Sequence, residues 1–169
     1  VGEIVCLGDI LGYGPDPCQC VDIVAERCSF SLMGNHDYAV LYEPTNFNDA
    51  ARRAAYWTRS ELDRAVDEDS ESGMKRMDFL NRLRVRWRYR DLYTCVHGTV
   101  RRPINEYLFA MDPIDNPLKV QQVFERIEHR CLVGHTHVPG VFTPEPDFYP
   151  ADELGHQDPD DPNLAGVFI

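Results

Sequence analysis

The sequence predicts an α/β fold on two observations. Short apolar runs alternate along the chain with segments whose apolar residues recur at helical spacing. Four of those runs also empty directly into glycine and side chains of the kind that bind metals, as strands of open α/β sheets do at their carboxyl ends. Residues 4–7 read as the first strand, and residues 16–27 as a helix carrying Val21, Val24 and Ala25 on one face. Residues 30–33 read as the next strand, which completes a βαβ unit with an expected right-handed crossover. Asn48 begins a long helix that runs through Ala51, Ala54, Ala55, Trp57 and Leu62 and ends near Val66. Residues 67–73 are acidic and read as a solvent loop, after which Met77, Leu80 and Leu83 suggest a short helix.

From residue 84 to 90 the chain alternates strictly Arg, Val, Arg, Trp, Arg, Tyr, Arg, so a strand there puts all its arginines on one face. That face reads as a solvated edge guarded by charge, with an anion-binding surface as the alternative. Residues 93–96 return as a neighbouring strand across a turn near Asp91, residues 117–128 look helical, and residues 131–133 and 138–142 look like strands. Residues 143–163 read as a long acidic, proline-rich loop.

Composition bounds the function. The 169 residues include 17 basic and 28 acidic side chains, a formal charge of −11, and are 43% apolar. That is enough apolar chain for a single-domain core, and too much for a disordered segment. No run approaches the roughly 18 apolar residues of a membrane span, so a membrane protein is not expected. The negative charge makes nucleic-acid binding an unlikely main activity, since such binding neutralises phosphates with Lys and Arg. The chain opens in strand-like residues rather than in a charged and then apolar leader, and it closes in an apolar run. The expectation is one domain over residues 1–169 of a cytoplasmic protein, truncated at its N-terminus, with truncation at its C-terminus as a further alternative.

Six cysteines raise the question of a disulfide framework. Cys6, Cys95 and Cys131 sit in short apolar runs where a thiol acts as a small hydrophobe. Cys18 and Cys20, followed by Cys28, lack the spacing of a structural zinc site and no second pair follows. Reduced thiols in a reducing compartment are the expected reading.

The chemistry gathers after the four runs: Gly8-Asp9, Gly34-Asn35-His36-Asp37, His97-Gly98 and Gly134-His135-Thr136-His137. A carboxylate, a carboxamide and three imidazoles form a mixed oxygen and nitrogen donor set, which suits Zn, Fe, Mn or Ni better than Ca or Mg. On an extended segment His135 and His137 project to the same side. A lone Gly-Asp or a lone buried histidine carries little information. Three polar residues directly after a buried strand are costly to place without partners, and the joint arrangement points to a metal site.

These four segments, in this order, resemble the successive motifs of the calcineurin-like metallophosphoesterases, and the resemblance reaches to about Phe142. Gly12-Tyr13-Gly14-Pro15-Asp16-Pro17 resembles a branch of small bacterial cytoplasmic members. The resemblance implies a four-layer α-β-β-α sandwich, here without its first strand and helix, around two divalent metal ions. It implies that Asp9 bridges the metals, that Asn35, His97 and His135 bind the second, and that His137 binds the first. It implies His36 as the acid that protonates the leaving group, oriented by Asp37, with Asn35 also contacting substrate. Arg101 and Arg102 can hold a substrate phosphate, or are surface arginines of a loop.

The family's Asp-x-His motif, which gives two ligands to the first metal, occurs nowhere in the 169 residues. Truncation explains that, or the site is degraded. The implied activity is hydrolysis of a phosphomonoester, phosphodiester or phosphoprotein. In it, two cations about 3.5–4 Å apart activate a bridging water for in-line attack while His36 donates a proton. The rival reading is a non-catalytic protein-interaction scaffold on the same fold. Substrate identity, metal identity and oligomeric state are not encoded in these motifs.

Overall fold

The computed structural model describes residues 2–154 and the backbone of residues 167–168. The chain divides into two compact units, Val1–Val85 and Arg86–Ile169.

The first unit is helical around a few strand-like contacts. Helix α1 (Pro17–Arg27) starts with proline at its first turn, where the missing N–H is not needed, and buries Val21. Helix α2 (Asn35–Leu41) follows Gly34, and α3 (Asp49–Glu68) is capped by Asn48, whose side chain accepts the Ala51 N–H at 2.9 Å. The α3 stripe Ala51, Ala55, Thr58 and Leu62 is buried. It packs into a core of Leu11, Val21, Met33, Ala39, Val40, Leu80 and Leu83.

Two expectations fail in this unit. Residues 4–7 and 30–33 do not form full strands: Cys6 and Ser31 make one parallel bridge, and Leu32 makes another with Arg84. The pieces are nonetheless held in register, with the Cys6 N–H donating to Phe30 at 3.1 Å and the Leu32 N–H to Cys6 at 2.9 Å. The acidic stretch 67–73 is not a loop, because α4 (Ser70–Asn81) begins inside it. Asp69 closes α3 with its own N–H on the Ala65 carbonyl, and its side chain accepts the Ser72 N–H that opens α4. One residue serving as both caps leaves no room for a loop.

The second unit carries a six-stranded sheet in the order β1-β2-β3-β6-β4-β5. Strands β1 (Arg86–Tyr89) and β2 (Tyr93–Val96) form an antiparallel hairpin. Its turn residues Arg90 and Asp91 both have positive φ, 50° and 53°, as a hairpin turn that matches strand twist requires. Strand β1 lies at the sheet edge with Arg86 and Arg88 exposed. Arg88 pairs with Glu128 at 2.9 Å and Arg86 donates to the Val100 carbonyl, so the arginine face is a guarded edge.

A short helix α5 (Asp112–Asp115) precedes the next helix. Helix α6 (Pro117–Phe124) stops four residues before the expected end, and β3 (Arg130–Leu132) then runs parallel to β2. Strand β4 (Gly140–Thr143) pairs antiparallel with β5 (Asp147–Pro150), which corrects the expectation of a loop from residue 143 onward. Strand β6 (Val167–Phe168) lies between β3 and β4. Most of the remaining loop, with His156, lies outside the described residues. The second core joins Val96, Val100, Leu108, Val120, Val123, Cys131, Val133 and Phe142. No helix among the described residues is long and apolar enough to cross a membrane. All six cysteines are free thiols.

Candidate functional site

The candidate residues fall into two sets, one in each unit. In the first, Asp9 sits on the loop after the Cys6 bridge with φ +57°, a conformation that side chains other than glycine rarely adopt. Its carboxylate Oδ1 accepts the His36 N–H at 2.9 Å. It also lies so close to Gly34 that a Cβ there would fall 2.0 Å from the same oxygen, so glycine alone fits. Asn35 opens α2 and is buried. The Asp9 carboxylate and the Asn35 amide are thus both tied to the first turn of one helix.

His36 packs beside Gly12, where the backbone has φ +124° and an added Cβ would lie 2.5 Å from His36 Nδ1. Its ring is flanked by Tyr13 at 4.9 Å and Phe47 at 4.8 Å between centroids. Asp37 is fully buried, and both its oxygens are occupied by backbone donors. Oδ2 accepts the Asp9 and Gly34 N–H groups at 2.8 Å each, and Oδ1 accepts the Leu11 N–H at 2.9 Å. With these bonds the carboxylate fastens the loop over residues 9–11 to the start of α2. Burial pushes Asp37 up to about 6, with the three amide bonds pulling it down and the nearby Asp9 charge adding to the rise.

Two residues that sequence reasoning missed brace this set from α3. Thr58, buried, donates to the Gly12 carbonyl at 3.0 Å. Its neighbour Arg59 donates to the carbonyls of Val40 at 2.6 Å, Ala39 at 3.2 Å and Tyr42, closing the C-terminus of α2. Neither lies in a recognisable motif.

In the second unit, parallel pairing explains what comes together. Cys95 is opposite Leu132, so the chain leaves β2 and β3 at the same edge and the Gly134 N–H donates to the His97 carbonyl at 2.8 Å. The buried His97 and His135 then bring Nε2 and Nδ1 to 3.1 Å. With metal–nitrogen bonds of about 2.1 Å, that spacing subtends about 95° at an ion, the angle between adjacent ligands of a five- or six-coordinate centre. The imidazole pair therefore fits a divalent cation, and the oxygen donors of the first unit are of a type the same metals accept.

His135 has φ +73°, and the Thr136 N–H donates to the Gly134 carbonyl at 2.9 Å across it, which makes a γ-turn of the rare positive-φ type. His137 also has positive φ, 59°. The segment is thus not extended, and the expectation that both histidines project to one side fails: His135 is buried and His137 exposed. Arg101 is likewise not held ready for an anion, since its guanidinium meets Gln122 at 2.8 Å and Glu106 at 3.4 Å.

Comparison with known proteins agrees with this chemistry. The chain is 35% identical to a metallophosphoesterase from Sphaerobacter thermophilus of known crystal structure, with a TM-score of 0.65, over 86% of this chain and 54% of that one. It is 30% identical over 148 residues to an uncharacterised protein of Methanocaldococcus jannaschii, covering 86% of this chain and 55% of that protein. The chain thus spans about half the length of both. The model of the calcineurin-like phosphoesterases matches residues 3–159, and the chain belongs to that family.

Proposed function

We propose that this chain is a metal-dependent phosphoesterase that hydrolyses a phosphomonoester, phosphodiester or phosphoprotein. The observation that carries the reading is the buried His97–His135 pair, whose 3.1 Å nitrogen spacing suits neighbouring ligands of one cation. In this reading Asp9, Asn35, His97, His135 and His137 hold two divalent ions, of Mn, Fe, Zn or Ni. When bound, such ions lower the pKa of a water and neutralise phosphoryl oxygens. His36 donates the proton to the departing oxygen. The rings of Tyr13 and Phe47 fix its plane, and Asp37 sets the loop that carries Asp9. Asn35 adds a contact to the substrate phosphate. Arg101 joins it only on exchanging Glu106 for the phosphate. Six free thiols support a reducing, cytoplasmic setting.

The scaffold reading keeps one supporting observation, the absence of Asp-x-His from the 169 residues. Hydrolysis of para-nitrophenyl phosphates with added Mn²⁺, beside Mn²⁺ titration by calorimetry, separates the two. The enzyme reading expects turnover that Asp9→Asn and His135→Ala abolish together with metal affinity, and that His36→Ala abolishes with metal retained. Wild-type rates in the first two variants would show the ligand assignment to be wrong, and metal binding without turnover favours the scaffold.

A further inference from the structure

The geometry points to Tyr107 as a positioning residue that holds the imidazole of His135 in its ligating orientation, an inference that rests on the reading of His135 as a metal ligand. The backbone does not hold this side chain in a relaxed way. His135 is the centre of a positive-φ γ-turn, a conformation costing about 1–3 kcal/mol for a residue other than glycine. Something outside the turn must keep it there.

The Tyr107 ring stacks face to face on the His135 ring, centroids 3.6 Å apart and planes 19° apart. Phe109 stacks nearly parallel on Tyr107 at 5.0 Å and 7°, and Lys119 Nζ stands 5.6 Å from the Phe109 centroid. The three rings form a column with a cation at its outer end.

The segment that carries the column is fastened on both sides. Before it, Glu106 accepts the Thr99 hydroxyl and pairs with Arg101. After it, the buried Asp112 accepts the Phe109 N–H at 2.6 Å and the Lys119 ammonium at 2.6 Å. Leu108, between the two rings, is buried in the second core. A base-stacking platform for substrate would need an open ring face. Tyr107, though 42% exposed, stacks on His135 at 3.6 Å, a spacing that leaves no room for a base between the two rings, so this face supports the ligand.

The test uses the full chain labelled with ¹³C-histidine and free of metal, with His135 assigned by the loss of its signals in His135→Gln. Wild type and Tyr107→Phe should share ring-current-shifted His135 proton resonances, and Tyr107→Leu should return them to the range of an unstacked histidine. Calorimetric titration with Zn²⁺ should show Tyr107→Leu weakened about 10-fold or more, as for loss of a group that orients a ligand, and Tyr107→Phe unchanged. Phe109→Leu, which removes only the support of Tyr107, should move the same resonances in the same direction. Tyr107→Leu with wild-type resonances and Zn²⁺ affinity overturns the inference. So does a change confined to KM for a phosphate ester, which would make Tyr107 a substrate contact. Wild-type Zn²⁺ affinity in His135→Gln would instead refute the ligand reading, whatever Tyr107 does.

Discussion

Replacing Asp37 by asparagine changes the fewest atoms and tests the most connected carboxylate in the first unit. Asparagine keeps one acceptor oxygen. If that oxygen faces the Asp9 and Gly34 N–H groups, its NH2 faces the Leu11 N–H; in the other orientation two N–H groups lose their acceptor. One buried donor set against another donor costs about 1–3 kcal/mol, and the two surviving bonds lose the extra strength of a charged acceptor, about 1 kcal/mol each. Asp37 is fully buried, so no solvent screening reduces these terms. These terms sum to about 3–5 kcal/mol. A carboxyl pushed up to about 6 from 3.8 also means that its charge opposes folding at pH 8 by about 3 kcal/mol, a cost asparagine does not carry. The net change for Asp37→Asn is therefore about 0–2 kcal/mol. Asp37→Ala is equally neutral but keeps none of the three acceptances, so it should be less stable than Asp37→Asn by about 2 kcal/mol or more. Urea unfolding followed by far-UV circular dichroism at pH 8, where the carboxylate is charged, measures both. A difference below about 1 kcal/mol between Asp37→Ala and Asp37→Asn would refute the account of Asp37 as the fastener of the loop over residues 9–11.

Other consequences are as concrete. Arg59→Ala leaves the carbonyls of Ala39, Val40 and Tyr42 to water and should lower the urea midpoint by an amount worth about 1 kcal/mol; Arg59→Lys should not restore it, because an ammonium lacks the guanidinium fork. Phe142→Ala empties a fully buried position of the second core and should cost about 3–5 kcal/mol in the same measurement. Burial pushes the Cys131 thiol up to about 12 from an ordinary 9.0. The unfolded chain therefore releases this proton first, and stability should fall as pH rises from about 9 to 12, by up to about 1.4 kcal/mol per pH unit. Melting temperatures of wild type and Cys131→Ala across that range should differ in slope, and parallel slopes would contradict the burial account.

Local signals carried through wherever one element depends on its own residues. The long helix after Asn48 appears where the pattern places it and buries Ala51, Ala55 and Leu62 of the expected stripe, though Trp57 is exposed and Thr58 takes the buried place. The alternation of residues 84–90 survives as the shorter β1. Signals failed where a neighbour decides. Residues 4–7 have the composition of a strand, yet a strand needs a continuous ladder and Cys6 finds a single bridge. Asp69 looks like one more acid in an acidic stretch, and only the structure shows it capping two helices. Strand β5 hides among prolines and acids because its alternation of exposed Asp147 and Tyr149 with half-buried Phe148 and Pro150 makes sense only beside β4. At the site, the metal-type residues stand out because so many polar groups after apolar runs need a reason. Their supports do not: Thr58, Arg59 and Tyr107 lie far along the chain from what they hold. The pairing assumed for His135 and His137 failed because two positive-φ residues cannot be read from a four-letter motif.

The parallel junction of β2 and β3 can also be viewed as a covalent chemist would view a cross-link. His97 and His135 are 38 residues apart in sequence, with α5 and α6 in between. A cation shared by the two imidazoles would close that stretch into a ring, and by the loop-entropy estimate used for disulfides such a closure is worth up to ~4 kcal/mol against the unfolded chain. The same contact would then serve as clasp as well as ligand set, and removing the ion would loosen the crossover that brings the two histidines together.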